Sequence, residues 1–335
     1  GNTVVMGTHD TSITGGTGAD IFKFATADLT SADTVNGGTG AGINEITFTD
    51  SNTGIISGQF ANVSNISVVN FFTANDTITI ANDDTKLDNV DLKLGTGTNK
   101  VIYTDIADFT TADKVTGGGT DTIEFSNSGA INSSAFTNTS GIDSVVFGSG
   151  VDTLTLSDNK LDSVVLSLGT GSDIVNVAKA NLSSTDNIDA GASDTDVLTI
   201  SDITGPLSFV DADFTNLSNF ETLNLGNGSD DTITLGLTKV KAAGFTKVYG
   251  LLGDDSITIS DTTNLAIVDG GAGGSDTLTL STANMSFANL TVTNFETIKI
   301  NETETLTGEL DGTVTNISVA NSKTLTVGAS DFNGK

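Results

Sequence analysis

Short runs in which apolar and polar residues alternate recur along the chain, as in Thr277-Leu278-Thr279-Leu280 and Ser256-Ile257-Thr258-Ile259. Alternation built from Thr, Ile, Leu and Val predicts β-strands with one apolar and one polar face. A second set of apolar runs lies between them, for example Leu161-Asp162-Ser163-Val164-Val165-Leu166. Turns carrying Gly-x-Asp or close variants fall at Asp76, Asn99 and Asp121, then Asp152, Asp173 and Asp194 or Asp196, then Asp231, Asp255 and Asp276. Their steps are 21 to 24 residues. Two strands in each coil of about 22 residues predict an all-β parallel β-solenoid, with equivalent strands paired one coil apart and inward side chains stacked. About fifteen coils at the ~4.8 Å strand spacing would extend on the order of 70 Å.

A longer period encloses the coil. The segment Asn65-Ile66-Ser67-Val68-Val69 returns as Gly141-Ile142-Asp143-Ser144-Val145, Asn219-Phe220-Glu221-Thr222-Leu223 and Asn294-Phe295-Glu296-Thr297-Ile298, at steps of 76, 78 and 75 residues. A second run follows the first three as Asp76-Thr77-Ile78-Thr79-Ile80, Asp152-Thr153-Leu154-Thr155-Leu156 and Asp231-Thr232-Ile233-Thr234-Leu235, and survives in the fourth as Glu304-Thr305-Leu306-Thr307. Four super-repeats of about 77 residues therefore cover most of the chain, which reads as one elongated solenoid over residues 1–335. Four separate sandwich domains of that length are the competing reading. The regular coil spacing of the turns disfavours them. Only Leu237 to Gly244 reads as helical, and Phe22, Phe24, Phe48, Phe125, Phe147, Phe220 and Phe295 are expected inside the coil.

Charge changes the picture. The 335 residues include 13 Lys, no Arg, 35 Asp and 7 Glu, a formal charge of −29, with 38 Gly, one Pro and no Cys or Trp. Such a chain grips neither nucleic acid nor an anionic membrane surface. Missing Cys removes disulfides, thiolate catalysis and Cys-based zinc sites. No apolar run is long enough to span a bilayer. The opening Gly1-Asn2-Thr3-Val4-Val5 has no signal-peptide character, so the sequence reads as a segment of a longer chain.

The strongest single motif is Gly15-Gly16-Thr17-Gly18-Ala19-Asp20-Ile21-Phe22-Lys23, which fits G-G-x-G-x-D-x-U-x at every fixed position. Variants occur at Gly148 to Leu154, Gly169-Thr170-Gly171-Ser172-Asp173, Gly226 to Asp230, Gly250 to Ile257 and Gly271 to Leu278. These residues resemble the calcium-binding RTX (repeats-in-toxin) family. The residue types suit the ion: calcium takes six to eight oxygens, glycine turns carbonyls toward it, and aspartate supplies charge.

The resemblance implies Ca2+ as the cofactor, held between stacked turns. Its side-chain ligands would come from Asp20, Asp121, Asp152, Asp173, Asp194, Asp196, Asp230, Asp231, Asp255 and Asp276. Turn positions Gly15, Thr17, Gly18, Gly169, Gly171, Gly253, Gly271 and Gly274 would surround the ions, and Asn99 would weaken its own site. The chain departs from the family's uninterrupted nine-residue repeat, because its turns recur at coil spacing, mostly on one side. Gly37 to Asn44 has the glycines without the Asp. Some turns are therefore expected to close through Asx hydrogen bonds alone.

Gly-Asp turns combined with the Asn-Phe-Glu-Thr-Leu type segment also resemble the solenoid assembly regions of Gram-negative surface-layer proteins. That resemblance implies type I secretion, an extracellular location, calcium-driven folding and self-assembly into a lattice, with cell-surface polysaccharide held through a region outside this segment. An extender or ligand-binding segment of an RTX adhesin is the alternative. Enzymatic readings fare worse: there is no Arg, no Trp, only Tyr103 and Tyr249, and a single histidine, His9, near a terminus. Thr-x-Thr pairs such as Thr77/Thr79, Thr153/Thr155, Thr232/Thr234 and Thr277/Thr279 suggest an ice-binding face, but outward Thr is also the ordinary strand choice.

Overall fold

The computed structural model describes residues 1–51, 54–71, 75–82, 85–192, 194–228, 230–287, 289–306 and 313–327. Thr307 of the fourth super-repeat and Ser229 of the Gly226 turn lie outside the described residues. The fold is an all-β parallel β-solenoid, and the register of pairing sets the coil. Ile21 faces Glu45, Glu45 faces Val68, Val68 faces Asp91 and Asp91 faces Lys114, steps of 23 or 24 residues. Later coils are tighter in places, as in Lys247 opposite Ile267 and Thr277 opposite Thr297.

The chain divides into two compact units, residues 1–150 with 163–167, and residues 151–162 with 168–335. In the first, one parallel sheet runs through Thr3–Val5, Ile21–Phe24, Glu45–Phe48, Val68–Asn70, Asp91–Lys93, Lys114–Thr116 and Thr139–Ser140. A second joins Ile55–Ile56, Thr77–Ile80, Thr98–Tyr103, Thr120–Phe125, Ser144–Val146 and Val165–Ser167. Ser12–Thr14, Thr34–Asn36 and Val63–Ser64 form a third.

In the second unit one sheet joins Thr153–Leu156, Ile174–Val177, Val197–Ile200, Thr222–Asn224, Lys247–Tyr249, Ile267–Asp269 and Thr291–Thr293. Another joins Leu207–Ser208, Asp231–Leu235, Ser256–Ile259, Thr277–Leu280, Thr297–Ile300 and Asn316–Val319. The helix appears where expected, at Thr238–Ala243, ended by Gly244 in the left-handed region.

Alternation decides what is inside. In Ile21–Phe24, Phe22 and Phe24 are buried and Lys23 is not, and Thr120–Phe125 buries Asp121, Ile123 and Phe125. All seven Phe expected inside are buried. Phe125 meets Tyr103, Phe109, Phe136 and Phe147 at ring separations of 5.4 to 6.5 Å. Aromatic stacking between coils adds to area burial at such distances. The named Thr-x-Thr pairs lie on three different sheets, so no single rank of hydroxyls contains them all.

The super-repeat has a structural cause. Asn65, Gly141, Asn219 and Asn294, the first residues of the recurring segment, have φ of 54°, 65°, 60° and 58°. Only Asn or Gly enters that left-handed region at low cost, which explains why the position alternates between these two. Ahead of three of them lie short 3-10 turns, Ser57–Phe60, Ser133–Asn138 and Asp211–Phe214. After Asn65, Gly141 and Asn219 the aspartate turns resume on a different sheet, before Thr77–Ile80 and Thr153–Leu156 and within Asp231–Leu235. They do not stay on one side of the coil.

Candidate functional site

The turn aspartates stand at strand entrances, in phase with the inward residues that follow: Asp20 with Phe22, Asp196 with Leu198, Asp231 with Ile233. Asp20, Asp76, Asp121, Asp152, Asp173, Asp196, Asp231, Asp255 and Asp276 are each at most 2% exposed, and Asn99 is 1% exposed. Within a super-repeat each lies one coil from the next, and in every step but the one from Asn99 the backbone N–H of one donates to the side chain of its successor.

Three such relays follow the super-repeats. Asp76 N donates to Asn99 Oδ1 at 3.0 Å, Asn99 Nδ2 to Asp121 Oδ1 at 2.7 Å, and Asp121 N to Asp143 Oδ2 at 2.7 Å. Asp152 N donates to Asp173, Asp173 N to Asp196 and Asp196 N to Glu221, at 2.7 to 2.8 Å. Asp231 N donates to Asp255, Asp255 N to Asp276 and Asp276 N to Glu296, all at 2.8 Å. A shorter run opens the chain, with Asp20 N donating to Asn44 Oδ1 and Asn44 Nδ2 to the Asn65 carbonyl. The acids that close the later relays, Asp143, Glu221 and Glu296, belong to the recurring segments themselves.

Strand phase separates Asp231 from Asp230, and Asp194, though of the same parity as Asp196, lies outside the strand entrance that turns Asp196 inward. Asp196 and Asp231 are the inward members of their turns, while Asp194 and Asp230 are exposed. Asp230 belongs to an outer row in which its Oδ1 accepts from Asp254 N and Asp254 Oδ1 accepts from Ser275 N, both at 2.9 Å.

The glycines mark close approach between coils. A Cβ on Gly15 would lie 2.5 Å from the Gly37 carbonyl oxygen and 2.7 Å from Asp20 Oδ2; on Gly250 it would lie 2.1 Å from the Gly270 carbonyl oxygen and 2.4 Å from Asp255 Oδ2. The carbonyls of Thr17, Gly169 and Gly253 likewise face Gly40, Gly191 and Gly274 of the next coil, and Gly18 packs on Gly1. Gly171 and Gly271 adopt φ of 147° and 114° in their turns.

The relays differ in how their carboxylates are satisfied. Asp20 Oδ1 accepts from Asn2 N and Nδ2, and its Oδ2 from Gly16 N, so backbone donors hold its pKa below the ordinary value. Asp121 Oδ2 accepts from Gly118 N and Gly119 N, and its Oδ1 from Asn99. In the second unit Asp173 Oδ2, Asp231 Oδ1 and Asp255 Oδ2 are buried without a hydrogen-bond partner. Burial, with like charge one coil away, pushes Asp173, Asp196 and Asp276 up to about 6 and Asp255 up to about 7; burial pushes Asp231 to about 7 as well. Among the described residues the lysines of the ion pairs Lys100–Glu124, Lys179–Asp213, Lys241–Asp261 and Lys323–Glu302 are engaged with carboxylates outside the relays.

Sequence reasoning missed a second family of buried carboxylates. In Thr30-Ser31-Ala32-Asp33, Thr110-Thr111-Ala112-Asp113 and Ser183-Ser184-Thr185-Asp186, the Asp accepts from the backbone N–H three residues earlier at 2.6 to 2.8 Å. The signal was available as a hydroxyl residue three places before Asp, ahead of an apolar position. These carboxylates close turns. Asp113 also accepts from the buried Tyr103 hydroxyl at 3.1 Å.

The donor chemistry fits an oxygen-seeking cation unevenly. Among the described residues no three acidic, histidine or cysteine side chains converge on one point. Backbone carbonyls must therefore supply most of the six to eight oxygens that calcium takes. At Asp255 an unpartnered carboxylate oxygen and the Gly270 carbonyl oxygen crowd the same glycine, which suits such an ion. No family model, no curated protein and no solved structure matches this chain.

Proposed function

We propose that this solenoid is a structural segment of a secreted bacterial surface-layer protein that folds and self-assembles when it binds extracellular calcium. One observation carries the reading: stacked carboxylates at the core of the second unit, with buried oxygens on Asp173, Asp231 and Asp255 that no protein donor reaches. An unpaired buried carboxylate is costly, so the group must take up a proton or a cation. Asp173, Asp196, Asp231, Asp255 and Asp276 would contact the ions, with turn carbonyls completing the shell. Calcium would supply positive charge between coils that otherwise repel. The protein's own contribution is to hold these oxygens one coil apart through the backbone pairing of the strands. Sites of roughly 10⁻⁴ to 10⁻³ M affinity would make external calcium a folding signal.

The lattice rests on the sequence resemblance and on a repeat fold suited to extended assemblies, and the reading assigns no catalysis. Two experiments test it. Melting of the full chain should fall strongly in excess chelator and recover with millimolar calcium; identical melting in both sinks the calcium reading. Electron microscopy with calcium should then show ordered sheets. Dispersed particles that bind glycan or host surfaces would point instead to an adhesin segment, and turnover of acidic polysaccharide to an enzyme.

A further inference from the structure

We infer that the need for a cation is confined to the second unit, because in the first unit asparagine and turn amides do the cation's work inside the relay. This inference rests on the calcium reading above and assigns it to particular coils.

The first unit places a neutral amide at the second position of both its relays. Asn99 accepts from Asp76 N through Oδ1, and its Nδ2 donates to Asp121 Oδ1 at 2.7 Å and to the Gly95 carbonyl at 3.0 Å. Asn44 does the same between Asp20 N and the Asn65 carbonyl. A carboxylate can only accept, whereas an amide accepts on one atom and donates on the other. The amide therefore passes the relay on, and both oxygens of Asp121 are supplied with donors. Turn amides complete the arrangement, Gly16 N on Asp20 and Gly118 N with Gly119 N on Asp121.

The second unit has carboxylates throughout, Asp152-Asp173-Asp196-Glu221 and Asp231-Asp255-Asp276-Glu296, linked by backbone N–H donors and not by an amide side chain. A turn amide persists at Asp231, where Gly226 N donates to Oδ2 at 2.7 Å, but not at Asp255. Leu251 occupies the place that Gly16 holds in the first motif, at φ 74°, and Asp255 Oδ2 has no partner. Asn99 is thus a built-in replacement for the ion and does not merely weaken a site.

Hydrogen exchange read segment by segment on the full chain, with calcium and with chelator, tests the assignment. Chelation should speed exchange by about tenfold or more in strands 174–177, 197–200, 232–235 and 256–259, while 77–80, 100–103 and 122–125 stay within about twofold. Asn99→Asp should make the latter group chelator-sensitive, and Asp255→Asn should reduce the sensitivity of 232–235 and 256–259. Equal acceleration in both units, or acceleration confined to the first, overturns this inference and leaves the calcium reading standing. No acceleration anywhere overturns both. Should Asn99→Asp fail to fold, the Asp255→Asn comparison still decides.

Discussion

The metal-free protein should prefer mild acid. Asp231 and Asp255 are raised by burial to about 7, and Asp173, Asp196 and Asp276 to about 6, against an ordinary Asp value of about 3.9. A carboxyl whose folded pKa is raised binds its proton more tightly when folded. Its stabilising contribution is complete below the unfolded pKa and is lost as pH rises through the folded one, here from about 4 to about 7. A shift of about two to three pH units corresponds to about 3–4 kcal/mol for one isolated group. The five do not add, since protonating one relieves the next. Between pH 5 and pH 8 only the part of that shift above pH 5 is lost, about one to two pH units or about 1.4–2.7 kcal/mol for a single group. The melting temperature in chelator should therefore be about 3–11 °C higher at pH 5 than at pH 8 for a unit of this size.

The assay is thermal unfolding in chelator across that range at 0.5 M salt, which screens repulsion among exposed carboxylates. Asp231→Asn with Asp255→Asn should flatten the slope. A melting temperature that falls steadily on acidification, or a slope unchanged in the double variant, would refute the reasoning.

Two further outcomes follow from backbone geometry. Leu251 is held at φ 74°, where a branched side chain costs about 1–2 kcal/mol, so Leu251→Gly should raise stability by about 1 kcal/mol in chemical denaturation. Asn219 is left-handed at φ 60° and its Nδ2 donates to Asp189 Oδ1 at 2.6 Å. Asn219→Ala should therefore cost about 2 kcal/mol and Asn219→Gly about half that, a difference that isolates the backbone contribution.

Much of this was legible in the sequence. Alternation in Thr277–Leu280 or Ser256–Ile259 specifies strand and inward face together, because a strand has a period of two. The coil spacing of the Gly-Asp turns fixed the pairing, as the observed register of Thr232 on Ser256 on Thr277 shows. The direction of the aspartates was legible too, though it needed parity to be carried one residue back from the strand. Asp196 keeps phase with Leu198 and Ile200, and Asp194 lies outside the strand that fixes it. The relay was harder to see. Its hydrogen bonds run between residues 20 to 25 apart, and its acceptors change type among Asp, Asn and Glu. Nor does a motif match report satisfaction: Gly15 to Asp20 fits the calcium signature best, yet its carboxylate, like that of Asp121, is supplied with three N–H donors.

The most direct test of the cation-bearing relays is the number of protons released when calcium binds to the metal-free full chain, measured by calorimetry in buffers of different ionisation enthalpy. If the ions enter at the raised carboxyls, binding at pH 6 to 6.5 should expel protons, and the release should vanish by pH 8.5. Calcium bound at pH 6 without proton release would place the ions away from the raised carboxyls, on exposed carboxylates such as Asp230 and Asp254, and would contradict the account.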